Sequence, residues 1–482
     1  MKRFNVKYCI FLPIVLIVTV VLWCAPHTFF GNLGNVITVT QQRTVAIFAF
    51  AALMWIFEIV PNWVTSLIVI VVSLLTISDK GLSFAMQPGD DSVFVPAKEL
   101  MRAFSDPVVM LFLGGFVLAA VSSKYGMDVR LARILLKPFG KNPKSVLLGL
   151  LCVIATFSMF MSDTATAAVF LTFLAPVLST LPENEKGRTG LALAIPLAAN
   201  IGGIGTPIGT PPNATAVGVL DNNGISIQFA EWAVRMIPFV IVMILFAWML
   251  LTFLFPFKTK EIGIEIPKVS RQKSWRDYVA WSTFGLTILL WMTENLHGLS
   301  SYVVALVPIA VYTATGVFTA DDMKQIKWSI LWLVAGGFAL GYAMNDTGLA
   351  KALVDSIDFA SMKVIFVFAG ACLICYCLSN FISNSATAAL LIPIMVALGK
   401  GLLQSPNAAD FAAFGGQKAL SVFVAMCASL AMCLPISTPS NAMASSTGLV
   451  KTHDMAKVGI IIGVTGIIFG FFWVTKIAPF PQ

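Results

Sequence analysis

Long apolar runs separated by short polar segments dominate the chain. Runs long enough to cross ~30 Å of hydrocarbon fall at about 8–24, 43–60, 62–77, 107–123, 190–206, 230–256, 278–294, 299–317, 329–345, 417–435 and 457–477. Two further apolar segments, 145–180 and 362–398, are interrupted midway by small polar residues. The first interruption reads Ser158-Met-Phe-Met-Ser162-Asp163-Thr164-Ala-Thr166, the second Ser379-Asn-Phe-Ile-Ser383-Asn384-Ser385-Ala-Thr387. Each segment is too long for one straight crossing and too short for two. The pattern therefore predicts two helical hairpins that enter the membrane and return on the same side. Non-helical backbone is tolerated at such a tip only where it is buried in protein or lines a wet cavity.

The interruptions belong to a repeat. Ser162 and Ser383 stand 221 residues apart, and Gly114-Gly115 precedes Gly336-Gly337 by 222, as Gly126 does Gly348. A second matched pair follows each hairpin. Gly205-Thr-Pro-Ile-Gly209-Thr210-Pro211-Pro212-Asn213 corresponds to Pro435-Ile-Ser437-Thr438-Pro439-Ser440-Asn441, and proline breaks an apolar helix in both. The expected organisation is an N-terminal helix (1–42), a first repeat (43–257) with hairpin 145–180 and broken helix 190–222, a cytoplasmic linker (258–277), and a second repeat (278–482) with hairpin 362–398 and broken helix 417–449. The fold class expected is an all-α polytopic membrane protein with eleven transmembrane helices and two re-entrant hairpins. Five crossings per repeat, an odd number, place the halves in opposite orientations, the inverted-repeat plan of secondary transporters.

Composition agrees: of 482 residues 58% are hydrophobic and 11% charged, with mean hydropathy +0.88. Globular chains carry about a quarter charged residues, so a soluble domain is excluded. The net charge of +8 reflects topology rather than nucleic-acid binding. Lys124, Arg130, Arg133, Lys137, Lys141 and Lys144 cluster in one loop, and Lys258, Lys260, Lys268, Arg271, Lys273 and Arg276 in another. Both fall inside when the N-terminus is cytoplasmic and neither hairpin crosses, as the positive-inside rule requires. The C-terminus is then extracytoplasmic. Lys2, Arg3 and Lys7 before an apolar run resemble a signal peptide, but Trp23-Cys24-Ala25-Pro26 offers no cleavage site, and an uncleaved first helix is expected. Compactness and the lack of a long internal loop point to a bacterial inner membrane.

Other chemistry is thin. Cys372, Cys375 and Cys377 read as buried thiols rather than a metal site, and His27, His297 and His453 form no cluster. Glycines 202, 203, 205 and 209 superficially imitate a nucleotide loop, but the strand such a loop needs is missing. With no metal-spaced His/Glu cluster and no Ser/His/Asp set, an enzyme is not expected, nor an organic cofactor, and inverted hairpins favour alternating access over a channel. Helix breaks are useful because their ends carry partial charge. A half-helix starting after Thr164 or Ser385 offers amides to an anion, and one ending near Met161 or Ile382 offers carbonyls to Na⁺. Two such cups suit a ligand with an anionic group at each end. Apart from Asp163 the motifs hold no charged side chain, so amides, hydroxyls and bound Na⁺ are expected to hold the anion.

At these residues, and from Glu58-Ile-Val-Pro61 onward, the chain resembles the divalent anion–sodium symporter family, which carries dicarboxylates, tricarboxylates or sulfate. The family hallmark is a Ser-Asn-Thr tip on each hairpin followed by a Thr-Pro break. The resemblance implies a first Na⁺ site at Ser158, Ser162, Asp163 and Gly209, and a second at Ser379, Ile382, Asn384 and Ser437. It implies substrate contacts from Ser162, Asp163, Thr164, Thr210 and Pro211, and from Ser383, Asn384, Ser385, Thr438 and Pro439. It also implies a homodimer whose transport domains move like elevators. Two residues depart from the hallmark: Ser385 stands for Thr, and Asp163 for Asn. A carboxylate strengthens a Na⁺ site and repels a substrate carboxylate; a proton is the alternative partner for it. The expected activity is Na⁺-coupled symport of C4 dicarboxylates (succinate, malate, fumarate). The rivals are a cation-independent di- or tricarboxylate exchanger and a sulfate–sodium symporter.

Overall fold

The computed structural model describes residues 10–30, 37–82, 93–262, 274–356 and 363–481. Lys2, Arg3, Lys7, Lys268, Arg271 and Lys273 of the expected charge pattern lie outside them. Proline and glycine set the element boundaries. Pro107, Pro143, Pro211 and Pro439 each open a helix, where a missing amide costs nothing. The first half contains α1 (Leu12–Cys24), α2 (Val39–Phe57), α3 (Asn62–Thr76), α4 (Pro107–Lys124), α5 (Met127–Leu136), α6 (Pro143–Ser158), α7 (Asp163–Ser179), α8 (Lys186–Gly203), α9 (Pro211–Asp221) and α10 (Phe229–Leu254). The second contains α11 (Trp275–Met292), α12 (Ser301–Ala314), α13 (Trp328–Asp346), α14 (Leu349–Ser356), α15 (Val364–Phe381), α16 (Asn384–Leu403), α17 (Gly416–Leu430), α18 (Pro439–Ser446) and α19 (Thr452–Phe472).

Every apolar run read from the sequence carries a helix. On α10, Val234, Ile241, Leu245, Met249 and Phe253 form an exposed apolar stripe opposite buried Ala233, Met236, Val240 and Ala247. An apolar outer face over a packed inner one is what lipid demands of a spanning helix. Seven helices among the described residues are long and apolar enough to cross a membrane. They include both arms of the second hairpin, α15 and α16, of 18 and 20 residues. The expectation that this segment is too short for two crossings therefore fails. The hairpin runs on to Leu403, beyond the expected end at 398. In the first hairpin the arms are shorter, 16 and 17 residues.

The matched glycines have matched jobs. Gly126 and Gly348 both adopt positive φ, 60° and 75°, at the turns between α4 and α5 and between α13 and α14, a conformation that disfavours a β-carbon. Gly114 of α4 lies against the backbone of Ala305 on α12, and Gly336 of α13 against Ser66 on α3. Each leaves no room for a side chain, which lets helices from different repeats approach closely. The repeats thus interlock through α3–α13 and α4–α12.

Candidate functional site

Two serines shape the hairpin tips. Ser162 and Ser383 are the N-caps of α7 and α16. Their hydroxyls accept from the amides of Ala165 (3.3 Å) and Ala386 (3.2 Å). The second-arm helices therefore begin at Asp163 and Asn384, earlier than expected, because a serine in extended conformation is a good cap. The remaining first-turn amides have no partner within the helix. The first arm ends at Ser158, three residues short of the expected Met161, while the second ends beside Ile382 as expected.

The breaks in the later helices are held open by asparagine. Asn213 Nδ2 donates to the carbonyls of Gly203 (2.9 Å) and Thr206 (2.8 Å). Asn441 Nδ2 donates to those of Met432 (2.9 Å) and Leu434 (3.0 Å). A broken helix inside an apolar body leaves carbonyls unpaired, at a cost of several kcal/mol in the absence of water. An amide four residues into a Thr-Pro motif supplies the missing donors. The two breaks are also tied to each other. Asn200 Nδ2 of α8 reaches Thr438 Oγ1 (3.3 Å), and Thr210 and Ser429 hydroxyls lie 3.3 Å apart. Asn200 and Ser429 were not singled out from sequence; a lone polar residue inside an apolar run was the available signal.

The tips and breaks close around one cavity of about 280 Å³. Ser162, Asp163, Thr164, Thr210, Pro211, Ser383, Asn384, Ser385, Thr438 and Pro439 all line it. Gly209 and Ser437 also reach it, while Ser158, Ser379 and Ile382 lie behind the lining. Its opposite wall is mostly apolar, from Trp63, Phe112, Phe116, Ile330 and Leu333, with Asn62 and Ser329 as polar members.

Both expected cation positions have an oxygen-rich donor set. At the first, Ser158 Oγ lies 2.7 Å from both Asp163 Oδ1 and the Ala199 carbonyl. A β-carbon on Gly203 would sit 2.7 Å from Asp163 Oδ1 and 3.2 Å from the Gly209 carbonyl. Only glycine leaves this cradle open. At the second, Ser379 Oγ and Asn384 Oδ1 are buried without a hydrogen-bond partner, and Ser437 Oγ donates to the Asn380 carbonyl at 2.9 Å. Buried orphan oxygens are costly unless a ligand uses them, and hard oxygen donors suit an alkali cation. Among the described residues no three His, Cys, Asp or Glu side chains could jointly hold a metal ion. Cys372 and Cys375 are buried in α15, and Cys377 is exposed.

Folding brings to one tip a basic group that the motifs lack. The motifs carry no basic residue, yet Lys327, the residue before α13, donates its ammonium to Ser162 Oγ at 2.8 Å. At the other tip the donor is neutral: Asn62 Nδ2 of α3 reaches Ser383 Oγ at 2.9 Å. An ammonium thus lies at the first tip and a neutral amide at the second.

Two matched hairpins and two matched broken helices, closed round a polar cavity inside a many-span apolar body, define a membrane transporter, not an enzyme. The chain belongs to the citrate transporter family, whose model matches residues 52–415. It is 31% identical over 441 residues to an uncharacterized transporter of Schizosaccharomyces pombe, covering 87% of this chain and 48% of that one. It thus spans about half the length of that relative. It is 26% identical over 461 residues to the sodium-dependent dicarboxylate transporter SdcS of Staphylococcus saprophyticus, covering 88% of this chain and 83% of that one. The crystal structure of the Alcanivorax borkumensis YdaH transporter matches with a TM-score of 0.55 at 14% identity, over 91% of this chain and 100% of that one. At that identity the likeness shows the fold alone.

Proposed function

We propose that the protein is a Na⁺-coupled symporter of C4 dicarboxylates such as succinate, malate and fumarate, working by alternating access. The observation that carries this reading is the convergence of all ten motif residues on one cavity, with unpaired buried oxygens on Ser379 and Asn384 at the second tip. Two cups of capped helix ends suit an anion with a carboxylate at each end. The relative whose name specifies sodium-dependent dicarboxylate transport supports both the ion and the substrate class. Membership in a family described as citrate transporters supports a polycarboxylate substrate.

The reading includes eleven crossings with two re-entrant hairpins in a bacterial inner membrane, the N-terminus cytoplasmic and the C-terminus outside. It takes α6–α9 and α15–α18 as the mobile part, and the interlocked α3, α4, α12 and α13 as the scaffold of a homodimer. The hydrogen bonds joining the two breaks support one moving unit, because they tie both cups together.

Equilibrium binding of labelled succinate to the purified full chain tests the substrate and ion together. Saturable binding that requires Na⁺ over K⁺, and that malate and fumarate displace, is expected. Binding indifferent to Na⁺, or displaced by sulfate and not by malate, contradicts the reading.

A further inference from the structure

We propose that Lys327 is a substrate-anchoring residue, its ammonium leaving the Ser162 hydroxyl to pair with one carboxylate of the bound anion. The inference names a recognition group within the transport site and therefore rests on the anion-transport reading. Lys327 comes from the wall facing the hairpins, 165 residues from the serine it contacts. It is half-buried, and Ser329, Ile330 and Leu333, just beyond it, line the cavity. Among the described residues no carboxylate lies within ion-pair distance of it, and Asp163 attracts it from further off.

Bracing a serine hydroxyl does not require a charge. Asn62 does the equivalent work at the other tip with a neutral amide. Removing an ammonium from water is costly unless an anion compensates for it, and a bound carboxylate adds to the partial compensation from Asp163. Asp163 supplies the second half of the argument. A dianion placed between the tips meets that carboxylate at the first tip and none at the second. One ammonium beside Ser162 offsets the repulsion and gives the first cup a point charge suited to a carboxylate. Asp163 and Lys327 together leave the empty cavity close to neutral, so two Na⁺ and a dianion also balance.

Uptake kinetics of the full chain in proteoliposomes test this with Lys327→Gln and Lys327→Arg, using succinate and its monoamide, a monoanion. Anchoring predicts that K327Q raises the succinate KM by about 10-fold or more with Vmax little changed. It also predicts that the preference for succinate over the monoamide collapses in K327Q, and that K327R retains both. A bracing role instead lowers Vmax for both substrates equally and leaves the KM ratio intact, which overturns the proposal. Should K327Q fail to fold, K327N is read by the same ratio; an unchanged ratio in either also overturns it. Wild type without saturable dicarboxylate uptake contradicts the dicarboxylate reading instead. Lys327 is then judged by the KM of whichever of citrate, sulfate or phosphate wild type takes up, and an unchanged KM in the variant refutes the anchor.

Discussion

At the scale of single residues, the two proposed cation positions differ in a way the repeat conceals. The first holds Asp163, already paired with Ser158, and the second holds Asn384 and Ser379 with unused oxygens. Asp163→Asn should raise the Na⁺ concentration for half-maximal uptake by about 10-fold, roughly 1.4 kcal/mol from the loss of one charge. An unchanged Na⁺ dependence would remove Asp163 from the ion site. Ser379→Ala makes the opposite kind of test. Deleting an unsatisfied buried hydroxyl, which costs about 1–3 kcal/mol, should leave the Na⁺-free protein as stable or more so. The Na⁺-induced rise in unfolding temperature should shrink, since that rise depends on ion affinity. A larger loss without Na⁺ than with it would mean that the hydroxyl serves packing alone. The serines, Asp163 and the Thr-Pro breaks were legible because a polar residue inside an apolar run needs a reason. Lys327 was not, because a lysine at a span end is indistinguishable from an ordinary topology signal until folding brings it to Ser162.

At the scale of elements, the breaks in α8–α9 and α17–α18 depend on their asparagine clamps. Asn213→Ala or Asn441→Ala strips donors from two backbone carbonyls, and each should cost about 1–3 kcal/mol in detergent unfolding and abolish uptake. If both variants unfold like wild type, water rather than the amide satisfies those carbonyls. Asparagine at that position was quoted as part of the motif, but spacing alone could not reveal which carbonyls it serves. The loop after the first hairpin is fixed differently. Glu185 accepts from the amides of Lys258 (2.8 Å) and Thr259 (3.0 Å) and from the Thr259 hydroxyl. Burial alone would raise this carboxyl, but those donors and the Lys258 charge outweigh it and hold it below its ordinary value of 4.5. A lowered folded-state value means that its stabilisation is fully present above 4.5 and is lost as pH falls through the lowered value. The unfolding temperature of wild type should thus drop across that acidic window more than that of Glu185→Gln; parallel pH profiles would exclude the link. Hairpin lengths show where periodicity runs out. The arms of the second are long enough to cross, so counting residues does not establish its proposed re-entry.

At the scale of the whole molecule, the repeat seen in sequence becomes two interlocked layers, α3–α13 and α4–α12, that face the hairpins across the cavity. The wall is hydrogen-bonded to the tips by Asn62 at Ser383 and Lys327 at Ser162, and Gly337 of α13 packs on Ala389 of α16. Movement of the hairpins past a fixed wall must exchange these contacts, so they mark the sliding surface of the proposed elevator. The all-helical, many-span membrane class and the polar tips were readable because lipid enforces them on composition. The wall was not, since its partners are set by packing between distant segments. The most direct test of the central claim is uptake of labelled succinate into sealed vesicles that contain the protein and no internal anion substrate, driven by an inward Na⁺ gradient. Concentrative uptake that stops when Na⁺ is replaced by K⁺ is the predicted result. Uptake that needs internal dicarboxylate and ignores Na⁺ would make the protein an exchanger and contradict the account.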